Sequence, residues 1–458
     1  MTQEEKFIKM TTTPVPKLVG SRAIPTIISM LVTSFYNMVD TYFVGQINTE
    51  ATAAVGVVFS LMAVIQAFGF LFGHGSGIFM ARKLGEKKVE ESQYIANAGF
   101  TYAVIFGIVL MVLSLIFKNP LANILGATPT NIEYVKDYMA IVLIGAPFVM
   151  CSFVLNNQMR YQGNAMYSMY GIMVGAVLNI GLDPLFIFVF DMGIKGAALA
   201  TIIGQICSFI VLMFCTRVGG NLRITLRTNP FKWYIFKETV AGGLPSLFRQ
   251  GPASLSVMLL NVSVREIAGA SADAAIAGMS IVSRVSMFAN SALIGFGQGF
   301  QPVCSFNYGA KLYERVKEAF YFCVKVAIGF LVVISVLGFV FAPQIVWFFR
   351  QDELVCEIGA FALRAQTITF PLGAWIVMCN MMLQSCGKSV MASVVASCRQ
   401  GACFLPLLLI LPLFFGLTGI QIAQPIADVL TLGVSLPAGI YFLKEMKKLK
   451  EKEGLTND

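Results

Sequence analysis

Three carboxylates interrupt apolar runs of this chain. Asp40 closes SMLVTSFYNMVD, Asp183 stands in LNIGLDPLF, and Asp428 in QPIADVLT. An ionised carboxylate is costly to remove from water without a partner. An acid kept in such a run is therefore expected to meet a cation, a proton or a guanidinium. Helical spacing adds further oxygens. Asn179 lies four residues before Asp183, and Asn37 and Tyr36 lie three and four before Asp40, so each shares a helix face with its acid. With Thr201, these supply carboxylate, amide and hydroxyl oxygens, a set that suits a small hard cation. Two carboxylates in one low-dielectric site cannot both ionise cheaply, so the same site can also take a proton.

Only long helices can align such residues. The chain has 458 residues, 57% hydrophobic and 12% charged, where soluble chains carry roughly 25% charge. Apolar runs recur from end to end, many exceeding the ~18 residues that make a spanning candidate. Twelve spans are predicted, starting near residues 19, 52, 94, 134, 164, 194, 238, 275, 319, 358, 391 and 418. Each runs roughly 20–28 residues, enough to cross a ~30 Å core with some tilt. The polar start MTQEEKFIKMTTTPVPK has no apolar h-region, so no cleavable signal is expected.

The net charge is +9, but its placement speaks against nucleic acid. One set of loops and ends, from Lys6 to Lys452, holds 23 Lys and Arg, and the alternate loops hold 5. That asymmetry sets topology and predicts cytoplasmic N- and C-termini. Ten cysteines are scattered with no CxxC and are read as free packing thiols, with only Cys356 in a predicted loop.

The halves repeat. Gly73, Gly75 and Gly85 of GHGSGIFMARKLG recur as Gly297, Gly299 and Gly309 of GQGFQPVCSFNYG, each 224 residues later. IPTIISM near Pro25 echoes LPSLFRQ near Pro245 at an offset of 220, and GIKGAALAT echoes GLTGIQIAQ at 223. An even number of spans per half makes the repeats parallel, related by an axis along the membrane normal, with substrate expected between them. The predicted organisation is an N-terminal tail (1–18), a first lobe (19–216) and a linker (217–237) with a turn signal at Asn229–Pro230. A second lobe (238–443) and a basic tail (444–458) follow.

Counting along the predicted spans places Asp40 ~31 Å and Asp183 ~28 Å from the inner ends of spans 1 and 5, and Thr201 ~10 Å below the outer end of span 6. Asp40, Asn37, Asp183, Asn179 and Thr201 thus fall in one layer of the outer half. The second lobe lacks these acids: Asp40 maps onto Leu260, and Asp183 onto Pro406 or Leu407. It carries Arg249, Arg284, Lys325, Arg364 and Arg399 instead. Arg249 and Arg399 are the deepest, and either pair with Asp428 or line a polar cavity beside Gln250. Asp428 either satisfies polar groups freed by Pro425 or meets substrate or ion. Pro25, fifteen residues before Asp40, removes a helical hydrogen bond and predicts a kink that can act as a hinge. His74 is the only histidine and reads as a polar helix-end residue. The 23 Met and 38 Phe suit organic cations and lipid packing alike. No P-loop, dinucleotide turn, zinc spacing or Ser-His-Asp set is present, so no enzyme is expected.

Twelve spans in two six-helix lobes, with SFYNMVDTYFVGQ, LNIGLDPLF and KGAALAT in spans 1, 5 and 6, resemble the multidrug and toxic compound extrusion (MATE) family over essentially the whole chain. The resemblance implies an all-α integral membrane fold that exports amphipathic, often cationic organic compounds in exchange for H⁺ or Na⁺. It implies a first-lobe cation site at Asp40, Asn179, Asp183 and Thr201, a bending proline at Pro25 and a cavity tyrosine at Tyr138. One branch carries acids in spans 7 and 10. Here Gln250 stands near the first position and predicted span 10 has no acid, so the chain resembles the DinF-like or MepA-type bacterial branch. A monomer in a bacterial cytoplasmic membrane is expected, with no cofactor beyond the coupling ion and no nucleic-acid partner. Two other readings are a flippase for lipid-linked oligosaccharides, whose pyrophosphate would use Arg249 and Arg399, and a non-transporting receptor or scaffold.

Overall fold

A computed structural model describes residues 2–226, 231–268 and 272–454. Arg227, the predicted Asn229–Pro230 turn and the side chain of Arg265 lie outside the described residues. Among those described, the chain is helical and has no strand.

The first lobe opens with a short helix, α1 (Gln3–Thr12). It continues with α2 (Val15–Gly45), α3 (Thr49–Gly85), α4 (Val89–Ile116), α5 (Lys118–Ile124), α6 (Ile132–Ile144), α7 (Ala146–Tyr161), α8 (Ala165–Pro184) and α9 (Gly193–Cys215). The second holds α10 (Trp233–Ala268), α11 (Ala272–Gly309), α12 (Tyr313–Val340), α13 (Ala342–Phe349), α14 (Glu353–Ser385), α15 (Ser389–Ser397) and α16 (Phe404–Lys452). Among the described residues nine helices are long and apolar enough to cross a membrane, ten with the bent pair of α6 and α7, and dividing α16 at Gly416 and adding α10 gives twelve spans. Helices α6 and α7, bent by 50°, form one of them. Helix α16 divides at Gly416, whose φ of 57° and ψ of −135° are not helical. Its first part continues α15 through a π-helical turn, and its second part is the last span. Most of the helices begin slightly earlier than predicted, and α3 and α11 are far longer, 37 and 38 residues. Good helix formers such as Arg82 and Lys83 extend them past the apolar run.

The repeat extends to the backbone. Lys87 and Lys311 both adopt left-handed φ, near 60°, and stand 224 apart; so do Gly163 and Gly387, near 80°. The short helices α5 and α13 also begin 224 apart.

Two sequence readings change. The N-terminal segment is a docked helix rather than a free polar tail. Thr2 and Glu5 form a capping box, and Lys6 and Met10 are buried. Lys6 Nζ donates to Gly220 O at 2.7 Å, and burial together with the Arg22 charge lowers its pKa to about 8. Cys356 lies in the first turn of α14, not in a loop. All ten cysteines are free thiols.

Between the lobes, α3 packs on α10 and α2 on α11. Glycine makes the first contact feasible: a Cβ on Gly75 would lie 1.8 Å from Thr239 O. Polar contacts join the lobes from the end that carries the basic loops to the middle of α2 and α11. Arg82 pairs with Glu238 at 3.5 Å, Thr26 Oγ1 donates to Gly295 O at 2.6 Å, and Ser34 and Ser291 hydroxyls meet at 3.0 Å.

Candidate cation site

Helices α2, α6, α8 and α9 bring the first-lobe oxygens together. Asn179 and Asp183, one turn apart on α8, are joined by Asn179 Nδ2 donating to Asp183 Oδ1 at 3.3 Å. The same amide reaches Thr201 Oγ1 on α9 at 3.5 Å. The Thr201 hydroxyl donates to Ala197 O at 3.0 Å, which leaves its lone pairs facing the amide. Asp40 on α2 meets Asp183 side chain to side chain. Tyr36 lies beside both acids, and Tyr138 on α6 reaches Thr201 and faces the same pair. Asp183 is fully buried, and Asn179, Thr201 and Tyr138 are buried too.

The helix carrying Asp183 changes character directly after it. Pro184 ends the regular α-helix and Leu185–Val189 form a π-helical turn. Proline supplies no N–H, so the ladder must be rearranged at this point. The Asn37 carbonyl accepts from Thr41 Oγ1 at 2.8 Å. Helix α2 passes through Pro25 without a break in the helix. The carbonyl of Pro25 accepts from Ser29 Oγ at 2.8 Å.

Charge balance decides what this cluster can hold. Asp40 Oδ1, Asp183 Oδ2 and Asn179 Oδ1 are buried without a hydrogen-bond partner. All three are acceptors converging from two helices. Buried acceptors without donors fit a group that brings positive charge, a proton on one carboxylate or a small hard cation among the oxygens.

The second-lobe acid is held differently. Asp428 on α16 accepts from Arg399 Nε at 3.0 Å, from Gln424 Nε2 at 3.2 Å and from Thr369 Oγ1 at 3.3 Å. Arg399 sits on the π-helical turn Cys398–Ala402. Of the two arginines considered for Asp428, only Arg399 pairs with it. Arg249 on α10 donates to Asn380 Oδ1 at 3.2 Å instead, with Gln250 half-buried next to it. Gln424 serves the carboxylate rather than backbone freed by Pro425. A small cavity beside this group is lined in part by Ser283, Gln366, Gln421 and Gln424.

Two residues lie where the sequence did not place them. His74 sits inside α3, fully buried, with Nδ1 3.1 Å from Tyr161 Oη. Arg160, counted among loop charges, is 3% exposed. Loop proximity concealed Arg160, because the last turn of a span reads as the start of its loop. Glycine on both sides concealed His74, because GHGSG resembles a helix end.

Two parallel six-span lobes, meeting along α2, α3, α10 and α11 and carrying intramembrane acids, define an integral membrane protein of transporter architecture. The chain belongs to the MatE family, whose model matches residues 25–185 and again 245–410, once in each lobe. It is 27% identical over 433 residues to "Multidrug export protein MepA" of Staphylococcus aureus strain N315, covering 93% of this chain and 94% of that protein. It is 29% identical over 413 residues to the protein of the same name from Staphylococcus haemolyticus, covering 89% of each. The fold matches solved MATE structures. One, described as MATE in complex with MaL6, superposes with a TM-score of 0.89 at 24% identity, over 96% of this chain and 99% of that one. Another, an outward-facing MATE family transporter, gives 0.88 at 24% identity, over 96% and 98%.

Proposed function

We propose that this protein is a secondary active antiporter that expels amphipathic organic compounds, many of them cationic, in exchange for H⁺ or Na⁺ bound at Asp40, Asn179, Asp183 and Thr201. The observation that carries the reading is the set of three buried acceptors without donors in a layer that holds two carboxylates. Its drug-exporting relatives supply the cargo class. In this reading both termini are cytoplasmic, the membrane is the bacterial cytoplasmic membrane, and the lobe contacts at the basic end close the cytoplasmic side.

An ion drives such a cycle only by binding two conformations unequally. Asp40 and Asp183 come from different helices, so mutual repulsion favours their separation when both are charged. A cation or proton between them removes that repulsion and draws α2 toward α8. Because α2 also contacts α11 through Thr26 and Ser34, moving it changes the lobe interface. Pro25, one residue before Thr26 and lacking an N–H, is the point where α2 can bend at least cost.

The test is efflux of a fluorescent organic cation from proteoliposomes under separately imposed H⁺ and Na⁺ gradients. One gradient is expected to drive efflux, and Asp40→Asn and Asp183→Asn are expected to abolish it with protein levels unchanged. Undiminished efflux in both variants would refute the assignment.

A further inference from the structure

A buried charge ordinarily has a partner of opposite sign. The layer where the lobes meet breaks that rule with positive charge. Arg160 donates from Nη1 and Nη2 to the amide oxygens of Gln298 and Asn157, and its Nε–H is buried without an acceptor. Arg249 donates to Asn380 Oδ1 at 3.2 Å and to Ser246 Oγ at 3.5 Å, so its acceptors are neutral as well. The titratable groups facing these guanidiniums are each other, Tyr161 and His74. No carboxylate pairs with either among the described residues.

Further polar atoms of the layer lack partners. The Nε2 of His74 is buried and unpartnered, and it is a donor in the tautomer whose Nδ1 accepts from Tyr161 Oη; the hydroxyl of Thr239 is unpartnered as well. Thr239 lies against Gly75, one residue from His74. The amide oxygens of Gln158 and Gln301 are unpartnered too, so the layer is not purely donating, yet its formal charges are positive. Arg160 and His74 come from the first lobe, Arg249 and Thr239 from the second.

We propose that this inter-lobe layer, around Arg160, His74 and Arg249, is an anion site that takes the carboxylate, sulfonate or phosphate group of an amphipathic small molecule. Guanidinium forks match oxyanions in shape as well as charge, and low-dielectric surroundings strengthen the attraction. An anion there would bridge the lobes, which makes it part of the cargo path rather than of the coupling site. The inference rests on the efflux reading for its setting and widens the cargo from cations to zwitterions and anions.

Binding can be read without transport, which separates this claim from ion coupling. Purified full-length protein in detergent is titrated with carboxyfluorescein by fluorescence anisotropy and dialysed against radioactive chloride. Saturable dye binding is expected, weakened about tenfold or more by Arg160→Gln and by Arg249→Gln, restored toward wild type in Arg160→Lys, and unchanged in Lys136→Gln, whose ammonium pairs with Glu133 away from the layer. Gel filtration and thermal melting report folding; should Arg160→Gln fail to fold, the half-buried Arg249→Gln carries the test. Chloride binding that the same variants abolish, without dye binding, supports the anion site and names an inorganic occupant. Neither anion binding, or binding undiminished in the arginine variants, overturns the proposal.

Discussion

The two lobes descend from one pattern, yet they treat a buried carboxylate in opposite ways. In the second, Asp428 accepts from a guanidinium, an amide and a hydroxyl. In the first, Asp183 accepts from the Asn179 amide, and one oxygen each of Asp40 and Asp183 is left without a partner. A carboxylate whose partners are built in does structural work, whereas one whose partners are missing can accept them from outside. The backbone follows the same division. Pro147 and Pro371 stand 224 residues apart, but the first lies beside the bend between α6 and α7 and the second inside an unbroken α14. The residue two before each differs: Gly145 caps α6, while Thr369 stays helical and donates to Asp428. Glycine tolerates a break that a β-branched residue resists.

The largest test of this contrast removes a first-lobe acid. Asp183→Asn and Asp40→Asn are each expected to lower ion-driven efflux to background while leaving the thermal melting midpoint near wild type. Loss of stability in place of efflux would give these acids the structural role assigned to Asp428.

Breaking the second-lobe pair should do the reverse. Arg399→Met leaves a buried carboxylate uncompensated and should destabilise by about 3–5 kcal/mol, whereas Arg399→Met with Asp428→Leu should recover most of that loss. Denaturant melts of the single and double variants check this. Efflux retained by the double variant would confirm that the pair is not part of coupling.

Pro25→Ala should act more mildly. It restores a backbone donor to α2 and stiffens it, so efflux should slow several-fold while cation binding survives. Transport and binding assays on one preparation separate these effects.

The smallest effect concerns the docked helix α1. Lys6 holds its proton to about pH 8 in the folded protein, against an ordinary value of 10.5. The unfolded chain therefore carries the extra proton between those values, and stability should rise with pH across that window. A melting temperature that climbs by about a degree there, with no such slope in Lys6→Met, is the expected outcome.

Much of this was legible in the sequence because membrane helices announce themselves. Every backbone polar group must be satisfied within the segment, so length and apolarity suffice to find a span. Asp183, Asn179 and Thr201 were readable as a group because helical spacing and span direction fix relative height. What escaped the sequence depended on side-chain partners between distant elements. Nothing local says that Arg399 faces Asp428 while Arg249 faces Asn380, since both arginines lie deep in the same lobe. Lys6 read as part of a polar N-terminal tail because its acceptors, Gly220 and Asn221, lie more than two hundred residues away.

If the first-lobe acids bind the coupling cation and the second-lobe acid does not, adding an organic cation to purified protein should release that cation, measured as protons in weakly buffered solution and as radioactive sodium in a parallel assay. About one cation should leave per protein, the release should vanish in Asp40→Asn and Asp183→Asn, and it should persist in the Arg399→Met, Asp428→Leu double variant. Release that survives loss of the first-lobe acids, or that disappears with the second-lobe pair, would place the coupling cation elsewhere.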